Sequence, residues 1–392
     1  MSGATGALTA SSGIPALDEA LGGLYWGDNV VWQTDEDAPV DAFYRAVAGT
    51  ASQYQLAAFV SLTTDPAELE RIYPGFTVID ARPDSSLAEP EDLLAAISRR
   101  CSAVERDLIL FEPMESMTER WGTEKALRFF SKTCPHLLEV GAIAYWSFVP
   151  SRHSRNFRRE IEEITQCVIA LGDDRLRISK AEGRPAGVQG NVFRYRLDEG
   201  KPELTVAPAA ARLGAALHAF RLNRDLSQSD LARLANVSPS AISQAERGQR
   251  GLSLETLLTL TARLEITLDE LLRGDVSPGY RLGRRHDPLE LAESKLLPLL
   301  DNPEAGLRAY VVRLPPGGSG SPGISHKGVE LVAVASGLVQ VVLPTGRPVL
   351  RAGETLLAER SGVASWRNLS DHEAMLFWIL RDDTRAVQAQ MS

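Results

Sequence analysis

The order of hydrophobic patterns along the chain limits the folds that it can adopt. Over its first half, continuous apolar runs such as LAAFVSL (56–62), DLILFE (107–112) and GAIAYWSFV (141–149) alternate with longer helical patterns. Such runs are typical of strands that are buried on both faces, and helical stretches between them are typical of crossover connections. The pattern therefore predicts an α/β fold with a parallel sheet for this segment.

Two interruptions divide the chain. Pro, Gly and charged residues break the apolar periodicity over Asp198–Ala211 and over Arg273–Pro288, and we interpret both stretches as linkers. The segment between them is wholly helical, and the last segment is rich in Val, Leu, Gly and Pro, which favours an antiparallel sandwich or barrel. We predict a multidomain chain with an α/β domain over 1–205, an all-α domain over 211–274 and an all-β barrel over 286–385.

Composition excludes several classes of protein. The chain has 392 residues and a net charge of −9, which argues against a protein that coats nucleic acid along its length but allows one local basic face. No apolar run approaches the roughly 20 residues of a membrane-spanning helix, and the first residues lack the pattern of a secretory signal. We expect a cytoplasmic protein with reduced thiols at Cys101, Cys134 and Cys167.

The helical segment contains two short helices joined by a tight turn. Ser227 and Ser238 are placed to cap them, and Pro239 takes the first position of the second helix, where proline is tolerated. The apolar residues expected on the inner faces are Leu231, Ala232, Leu234, Ala241, Ile242 and Ala245. Helices joined by so short a turn cross steeply, and the outer face of the second helix then fits the major groove of DNA.

The outer face of the second helix is polar. Its residues are Ser240, Ser243, Gln244 and Arg247. Short hydroxyl and amide groups read base edges, whereas arginines bind phosphates. The alternative is a helical packing domain that never contacts DNA, but such a domain leaves this outward polar set without a purpose.

The stretches LSQSDLARLANVSPSAISQAERG (226–248) and SLETLLTLTARLEITLDEL (253–271) resemble the helix-turn-helix of the XRE, or phage-repressor, family. The resemblance implies a sequence-specific transcriptional regulator that binds double-stranded operator DNA as a homodimer or higher homo-oligomer. The residues expected to contact DNA are Gln228, Ser238, Pro239, Ser240, Ser243, Gln244, Arg247 and Arg250.

Basic residues outnumber acidic ones in this segment. The arginines between residues 212 and 250 are Arg212, Arg221, Arg224, Arg233, Arg247 and Arg250, and the acids are Asp225, Asp230 and Glu246. An acidic chain therefore carries one locally basic region. Phosphate contacts by such arginines would supply salt-dependent affinity that does not depend on DNA sequence.

The last segment resembles a cupin barrel through two partial motifs, GSGSPGISHKGVELVAVASG (318–337) and AGETLLAERSGVASWRNLSD (352–371). His326 and Glu330 fall on ligand positions of the family pattern, whereas Ile324 and Ala364 stand where its other histidines are expected. One imidazole and one carboxylate hold a first-row metal poorly, so we predict no metal here. The resemblance leaves a barrel for dimerisation or for sensing a small-molecule effector, although His326 and Glu330 could instead be a hydrogen-bonded pair at the barrel mouth. The candidate pocket residues are His326, Glu330, Trp366 and Asn368.

The first segment resembles the RecA-like ATPase core, in its KaiC and RadA branch. The resemblance depends on SSGIPALDEALGGLYWGDNVVW (11–32), on RDLILFEPMESM (106–117) and on the later stretch 167–197. It implies a nucleotide-binding fold with a phosphate loop directly after the first core strand.

The loop at that position lacks the residues that bind phosphate. Residues 33–39 contain neither glycine nor lysine, and Asp35, Glu36 and Asp37 would each repel a triphosphate. Glu112 stands where a metal-holding aspartate is commonest. We predict a catalytically inactive ATPase-like scaffold with no catalytic residue and no cofactor; the alternative is that the acidic loop binds a divalent cation directly.

These features favour a transcriptional regulator over an enzyme. An XRE helix-turn-helix fused to a cupin resembles a broad group of bacterial regulators, which would be cytoplasmic and associated with the nucleoid when bound to DNA. The basic residues of the second linker, which either contact phosphates or stay solvated, are Arg281, Arg284, Arg285 and His286. Two alternatives remain: a metal-dependent cupin enzyme, and a regulator that senses nucleotide by binding ATP without hydrolysis.

Overall fold

The computed structural model describes residues 9–101, 106–172, 174–184, 187–224, 226–268, 271, 289–291, 294–302, 305–322, 324, 328–359 and 362–382. The chain divides into two compact units, Met1–Tyr280 and Arg281–Ser392. The predicted linker over Arg273–Pro288, with its basic residues, lies outside the described residues, as does His326. The predicted boundaries of three domains stay a prediction.

The first part of unit 1 alternates strands and helices. Its strands are β1 (Thr9–Ala10), β2 (Leu24–Tyr25), β3 (Asn29–Thr34), β4 (Leu56–Ser61), β5 (Thr77–Asp80), β6 (Asp107–Phe111), β7 (Ile143–Phe148), β8 (Cys167–Leu171), β9 (Arg175–Ala181), β10 (Val192–Asp198) and β11 (Lys201–Val206). Its helices are α1 (Pro15–Leu21), α2 (Val40–Ala48), α3 (Pro66–Ile72), α4 (Pro90–Arg100), α5 (Met114–Trp121), α6 (Thr123–Val140) and α7 (Arg155–Ile164). Short 3-10 helices span Ala51–Gln53 and Pro150–Arg152.

Nine of these strands form one mixed sheet in the order β11-β10-β9-β8-β3-β7-β6-β4-β5. The strands from β8 to β5 in this order are parallel, and β9, β10 and β11 extend the sheet in antiparallel register. The predicted parallel sheet is therefore confirmed. Because parallel strands share one direction, the loops after β3, β4, β6 and β7 meet at one edge of the sheet.

Helices cover both faces of this sheet. Along β3, Val30 and Trp32 pack into the layer that contains α1 and α2, whereas Val31 packs into the layer that contains α4 to α7. All three side chains are buried. This is why Val30, Val31 and Trp32 are consecutive apolar residues and do not alternate with polar ones. No helix in the described ranges is both long and apolar enough to cross a membrane.

The predicted first linker is wrong. Within Asp198–Ala211, residues 201–206 form β11, which pairs with β10 along its whole length, and only two residues separate β11 from helix α8 (Ala209–Asn223). Between them, the Ala207 amide donates to Val192 O at 3.0 Å, and Ala207, Ala211 and Val192 are buried together. The chain therefore passes from the sheet into the helical segment through packed residues.

Among the described residues of unit 1 after α8, all regular elements are helices, as predicted: α9 (Gln228–Ala235), α10 (Pro239–Glu246) and α11 (Leu254–Leu264). Unit 2 is antiparallel. Its strands are β12 (Leu289–Leu291), β13 (Ser294–Asn302), β14 (Leu307–Leu314), β15 (Ser319–Gly320), β16 (Gly328–Ser336), β17 (Leu338–Val342), β18 (Val349–Arg351), β19 (Thr355–Ala358), β20 (Ser365–Asn368) and β21 (Ala374–Asp382). They form a six-stranded sheet, β12-β13-β14-β21-β16-β19, and a four-stranded sheet, β15-β20-β17-β18. The predicted fold class is confirmed in all three segments.

Candidate nucleic-acid interface

Helix α9 begins with a complete capping box. The Ser227 hydroxyl accepts the Asp230 amide at 3.0 Å, and the Asp230 carboxylate accepts the Ser227 amide at 3.1 Å. The Ser227 hydroxyl and amide, which both donate to this carboxylate, and the nearby Arg233 guanidinium hold the pKa of the Asp230 carboxyl below its usual range. The helix ends at Asn236, whose φ of 54° lies in the left-handed region where asparagine is tolerated. The predicted cap is confirmed.

Helix α10 follows after a turn of three residues. Ser238 is its N-cap and accepts the Ala241 amide at 3.2 Å, and Pro239 takes the first helical position. The Ser238 and Ser240 hydroxyls lie 2.9 Å apart. The Ser238 cap and the position of Pro239 agree with the prediction, because capping depends on residues within one turn of chain.

The inner faces of α9 and α10 form the core of the helix-turn-helix. The side chains of Leu231, Ala232, Ile242 and Ala245 are buried, and Leu234 packs against them. On α10, Pro239, Ser240 and Arg247 are exposed, and Ala241, Ser243 and Gln244 are partly exposed. The predicted polar outer face of α10 is therefore present and faces away from the core.

A buried carboxylate joins the three helices around the motif. Glu246, at the end of α10, accepts Arg221 Nε at 2.6 Å and Arg221 Nη2 at 3.2 Å from α8. It also accepts Gln228 Nε2 at 2.8 Å from α9. A charge buried with its partner and extra hydrogen bonds is costly to disrupt, because removing one member leaves the other unpaired.

This network gives Gln228 and Arg221 partners inside the domain, and the expected DNA contact of Gln228 stays a prediction. Gln228 is partly buried and its amide nitrogen is engaged by Glu246, so its side chain positions α9 against α10. Arg221 also donates to Leu226 O at 3.1 Å, so it is an internal group and not one of the phosphate-binding arginines. The sequence signal for this network is the acid Glu246 on the inner side of α10.

Helices α8 and α10 approach each other closely at glycines. A Cβ added to Gly214 would lie 2.1 Å from Ala245 O and 2.8 Å from Glu246 O. A Cβ added to Gly248 would lie 2.7 Å from Ala211 Cα, and its φ of 65° also favours glycine. The orientation of α10 therefore depends on the absence of side chains at these two positions.

His218 lies where α8 approaches the α/β part of the same unit. Its Nδ1 is 3.9 Å from Glu246 Oε2. Partial burial lowers the pKa of His218 below its ordinary value; the charges of Glu246 and Asp35 oppose this, and those of Arg221 and Arg177 reinforce it. Because Asp35 follows β3 and Arg177 lies on β9, the helical segment is close enough to the sheet for their charges to interact.

Several arginines remain on the surface of the helical segment. Arg212, Arg224, Arg247 and Arg250 are exposed. Arg233 is exposed but pairs with Asp230 at 2.8 Å, and Arg263 donates to the last carbonyls of α9, those of Arg233 and Leu234. Arg247 and Arg250, at and beyond the end of α10, are therefore the arginines best placed beside the polar face.

The edge of the sheet where a nucleotide would bind is built differently from a phosphate site. Asp35, Glu36 and Asp37 are exposed after β3, and Glu36 lies 3.6 Å from Arg152 in the loop after β7. The loop over residues 33–39 contains no glycine and no lysine, the residue types that donate hydrogen bonds to phosphate in a phosphate loop. A triphosphate does not fit these residues.

Glu112, at the position where a metal-holding aspartate is commonest in the RecA-like pattern, holds a loop. Its buried carboxylate accepts the amides of Leu62, Thr63 and Thr64 at 2.8–3.0 Å and the Thr63 hydroxyl at 2.9 Å. These donors fix the chain where it leaves β4, on the strand that neighbours β6. A carboxylate that accepts four close donors is poorly suited to hold magnesium as well.

The barrel of unit 2 has an apolar interior where its metal ligands would converge. Ile324 packs against the core, and Trp366 and Trp378 fill it with ring centroids 5.4 Å apart. The buried Glu330 carboxylate accepts Trp378 Nε1 at 2.9 Å and the Val363 amide at 3.0 Å. Within the described ranges, no three His, Cys, Asp or Glu side chains are grouped to hold a metal ion. Ile324, Ala364 and the hydrogen-bonded Glu330, which are among the described residues, do not fit a cupin metal.

Another candidate pocket residue, Asn368, makes hydrogen bonds that stabilise the fold. The buried Asn368 amide donates to Leu314 O, Pro315 O and His372 O at 2.7–3.2 Å, and its oxygen accepts the Ser370 amide at 2.8 Å. Trp366 is buried, and His326 lies outside the described residues. Asn368 therefore holds two loops together, and the assignment of these residues to a ligand pocket stays a prediction.

Comparison with known proteins identifies the helical segment. Residues 217–271 match a family model described as Helix-turn-helix, HTH_3. No curated protein matches the chain. The chain therefore contains an XRE-type helix-turn-helix domain, as predicted, and this domain supports a DNA-binding transcriptional regulator.

Solved structures are similar to different parts of the chain. They include an HTH_3 family transcriptional regulator from Vibrio cholerae, with 19% identity over 44% of this chain and 97% of that chain and a TM-score of 0.21. A KaiC-like protein from Pyrococcus horikoshii has 17% identity over 50% of this chain and 98% of its own, with a TM-score of 0.42. The cupin_2 domain of an XRE family transcriptional regulator from Enterobacter cloacae has 16% identity over 24% and 99%, with a TM-score of 0.21.

Proposed function

We propose that this protein is a sequence-specific regulator of transcription that reads a double-stranded DNA operator through α10. The observation that carries the proposal is the construction of α10. Caps and the Glu246 network fix the helix, and its outer face presents Ser240, Ser243 and Gln244 with Arg247 beside them. Polar groups fixed on an exposed helix suit base edges in the major groove, because they need no rearrangement to bind.

The expected product of a binding-site selection tests this function. When the full chain selects from a pool of random DNA duplexes, we expect enrichment of one sequence with two-fold symmetry, because one α10 reads too few base pairs to be selective. Sequencing of the bound fraction measures the enrichment, and genome-wide binding with the same chain would locate the targets. A bound fraction with the same composition as the input would contradict the proposal.

We also propose that the α/β segment is a scaffold without ATPase activity. The acidic loop after β3 and the engagement of Glu112 by the loop after β4 support this role. Such a scaffold would hold the helix-turn-helix in a fixed orientation, since Ala211 of α8 is buried with Ala207 and with Val192 of β10. The barrel would then dimerise or bind a small effector in the cytoplasm, where the DNA-bound protein associates with the nucleoid.

Thermal stability in the presence of nucleotide tests the scaffold role. A ligand at 100 times its Kd stabilises a fold by about 2.7 kcal/mol, which would raise Tm by about 5–10 °C for a segment of this size. We expect no rise with ATP and magnesium, because Asp35, Glu36 and Asp37 repel the phosphates. Selected operator DNA in the same melting assay is the positive control. A rise of several degrees with ATP would instead support a nucleotide sensor.

A further inference from the structure

One residue of the acidic loop after β3 is turned toward the antiparallel part of the sheet. The Asp35 amide donates to Leu171 O at 2.9 Å, which ties the residue to the end of β8. A Cβ added to Gly172 would lie 2.9 Å from Asp35 Oδ2, so this carboxylate packs over the tight turn from β8 to β9. Glu36, by contrast, lies 3.6 Å from Arg152 in the loop after β7. The Asp35 carboxylate therefore lies on the β9 side of the loop, and the Glu36 carboxylate lies on the β7 side.

Helix α8 covers the neighbouring part of the sheet. Val192 of β10 is buried with Ala211 of α8, and Arg177 of β9 lies directly opposite Val192 in the antiparallel pair. Directly opposite residues point to the same face of a sheet. Arg177 is therefore on the face that α8 covers, two residues after β9 begins at Arg175. The start of β9 thus places Asp35 and Arg177 at the junction between the sheet and α8.

Helix α8 contributes a histidine to this junction. His218 is half exposed, and its Nδ1 lies 3.9 Å from Glu246 Oε2, the oxygen that accepts Arg221 Nη2. Burial lowers the pKa of His218, the charges of Glu246 and Asp35 raise it, and those of Arg221 and Arg177 lower it. The helix-turn-helix and the α/β part therefore each contribute one carboxylate and one guanidinium to the charges around His218.

The apolar part of the junction is too small to fix α8 by itself. Its buried residues are Val192, Ala207 and Ala211, with Ala215 packed against them. Alanine methyl groups bury little apolar surface, and apolar contact is not directional. Complementary charges fix the register of two packed surfaces. The charges around His218 therefore supply the directional part of this contact.

We infer that Asp35 is a positioning residue for the helix-turn-helix, and that its carboxylate, with Arg177, holds α8 on the sheet. The loop that stands where a phosphate loop is expected thereby attaches the DNA reader to the scaffold. Because α10 packs closely on α8 at Gly214, this attachment also sets the direction in which α10 faces. The inference deepens the proposed function, and it rests on that function only for the effect on operator binding.

The titration of His218 reports this contact without DNA. In the full chain with isotope-labelled histidine rings, the His218→Gln variant identifies the signal of His218 in NMR spectra. We expect Asp35→Asn to lower the pKa of His218, because the Asp35 charge raises it. Asp37→Asn removes an equal charge from an exposed residue of the same loop and should leave the titration unchanged. An unchanged titration in Asp35→Asn, or equal shifts in both variants, would overturn the inference.

Hydrogen exchange measures whether the junction opens. The Ala207 amide donates to Val192 O at 3.0 Å across the junction, so its exchange rate reports local opening. We expect Asp35→Arg to speed this exchange by a factor of roughly 5, the upper range for an exposed charge pair, and Asp37→Arg to leave it unchanged. Adding Arg177→Asp to Asp35→Arg exchanges the two charges and should restore slow exchange. Equal exchange in Asp35→Arg and the unsubstituted chain, or acceleration that the exchanged charges do not reduce, would contradict the inference.

The sign of the effect on DNA binding tests the positioning role. Replacing an acid with a cation strengthens binding to any duplex when only the overall charge matters. Loss of positioning does the opposite, because a loosely held reader loses more freedom when it binds. In fluorescence anisotropy we expect Asp35→Arg to bind the selected operator about fivefold more weakly, and Asp37→Arg to bind it at least as tightly as the unsubstituted chain. Equal or tighter operator binding by Asp35→Arg would overturn the positioning role. Failure of the unsubstituted chain to bind any selected duplex would overturn the proposed function, whereas the titration and exchange experiments test the contact without DNA.

Discussion

Replacing Ser240, Ser243 and Gln244 together with alanine should abolish selectivity for the operator and leave weak, salt-sensitive binding to any duplex. Each good pair between a side chain and a base edge contributes about 1–3 kcal/mol of discrimination, so a loss of roughly 100-fold or more in the preference for operator is expected. The three side chains lie on the outer face of α10 and outside the Glu246 network. The fold should therefore survive. Fluorescence anisotropy on operator and scrambled duplexes measures the two affinities.

Arginine variants provide the matched comparison. Arg247→Ala with Arg250→Ala should weaken binding to operator and scrambled DNA alike. The two changes should also reduce the slope of log affinity against log salt by about 2, because each removes about one phosphate contact. The triple alanine variant should keep that slope. If it instead lost affinity equally on both duplexes, Ser240, Ser243 and Gln244 would not be the base-reading residues.

The helix-turn-helix was predictable because its signals are local. Ser227 and Ser238 cap helices that begin at the next residue, and Leu231 and Ile242 follow helical periodicity into the core. Caps and periodicity involve residues within one or two turns of chain, so the sequence contains them directly. The pairing of Arg221 with Glu246 was not predicted. The two residues are 25 positions apart and lie on different helices, whose approach is set by packing.

The sheet was predictable in its core and not at its edge. Buried strand β6 is apolar at every residue after Asp107, so it cannot be mistaken for a loop. Strand β11 reads KPELTV, with a proline and charges, because an edge strand has one row of backbone groups and much of its side-chain surface in water. Its composition therefore matches that of a linker, and we assigned it as one.

Which residues occupy the two altered sites was predictable from the sequence, but the contacts that those residues make were not. The missing lysine after β3 and the missing histidines at Ile324 and Ala364 follow from the sequence alone. What Glu112 and Glu330 do instead depends on their neighbours in space. The Glu112 carboxylate accepts hydrogen bonds from the loop after the adjacent parallel strand. The Glu330 carboxylate accepts a hydrogen bond from the indole N–H of Trp378 on the adjacent antiparallel strand. Such partners are set by strand order, which a single sequence specifies weakly.

Replacing Gly214 with alanine should destabilise the helix-turn-helix, although alanine is the better helix former. Propensity alone predicts a gain of about 1 kcal/mol for Gly→Ala in a helix interior. Packing predicts the opposite, because the new Cβ would lie 2.1 Å from the Ala245 carbonyl oxygen, which is backbone and cannot rotate away. Helix α8 would have to move from α10 and stretch the bonds from Arg221 to Glu246. Overpacking costs about 1–3 kcal/mol, and loss of a buried pair about 3–5 kcal/mol.

The sign of this change decides between the two effects, and Gly251 provides the matched control. A Cβ at Gly251 would meet nothing within 4 Å, so Gly251→Ala should leave stability near that of the unsubstituted chain. Hydrogen exchange of the α9 and α10 amides in the full chain measures the local free energy of opening without requiring the rest of the chain to unfold. We expect Gly214→Ala to speed this exchange by a factor of 100 or more, on the order of 3 kcal/mol, and Gly251→Ala to leave it unchanged. Slower exchange in Gly214→Ala would mean that propensity prevails and that α8 and α10 are not in contact at this glycine.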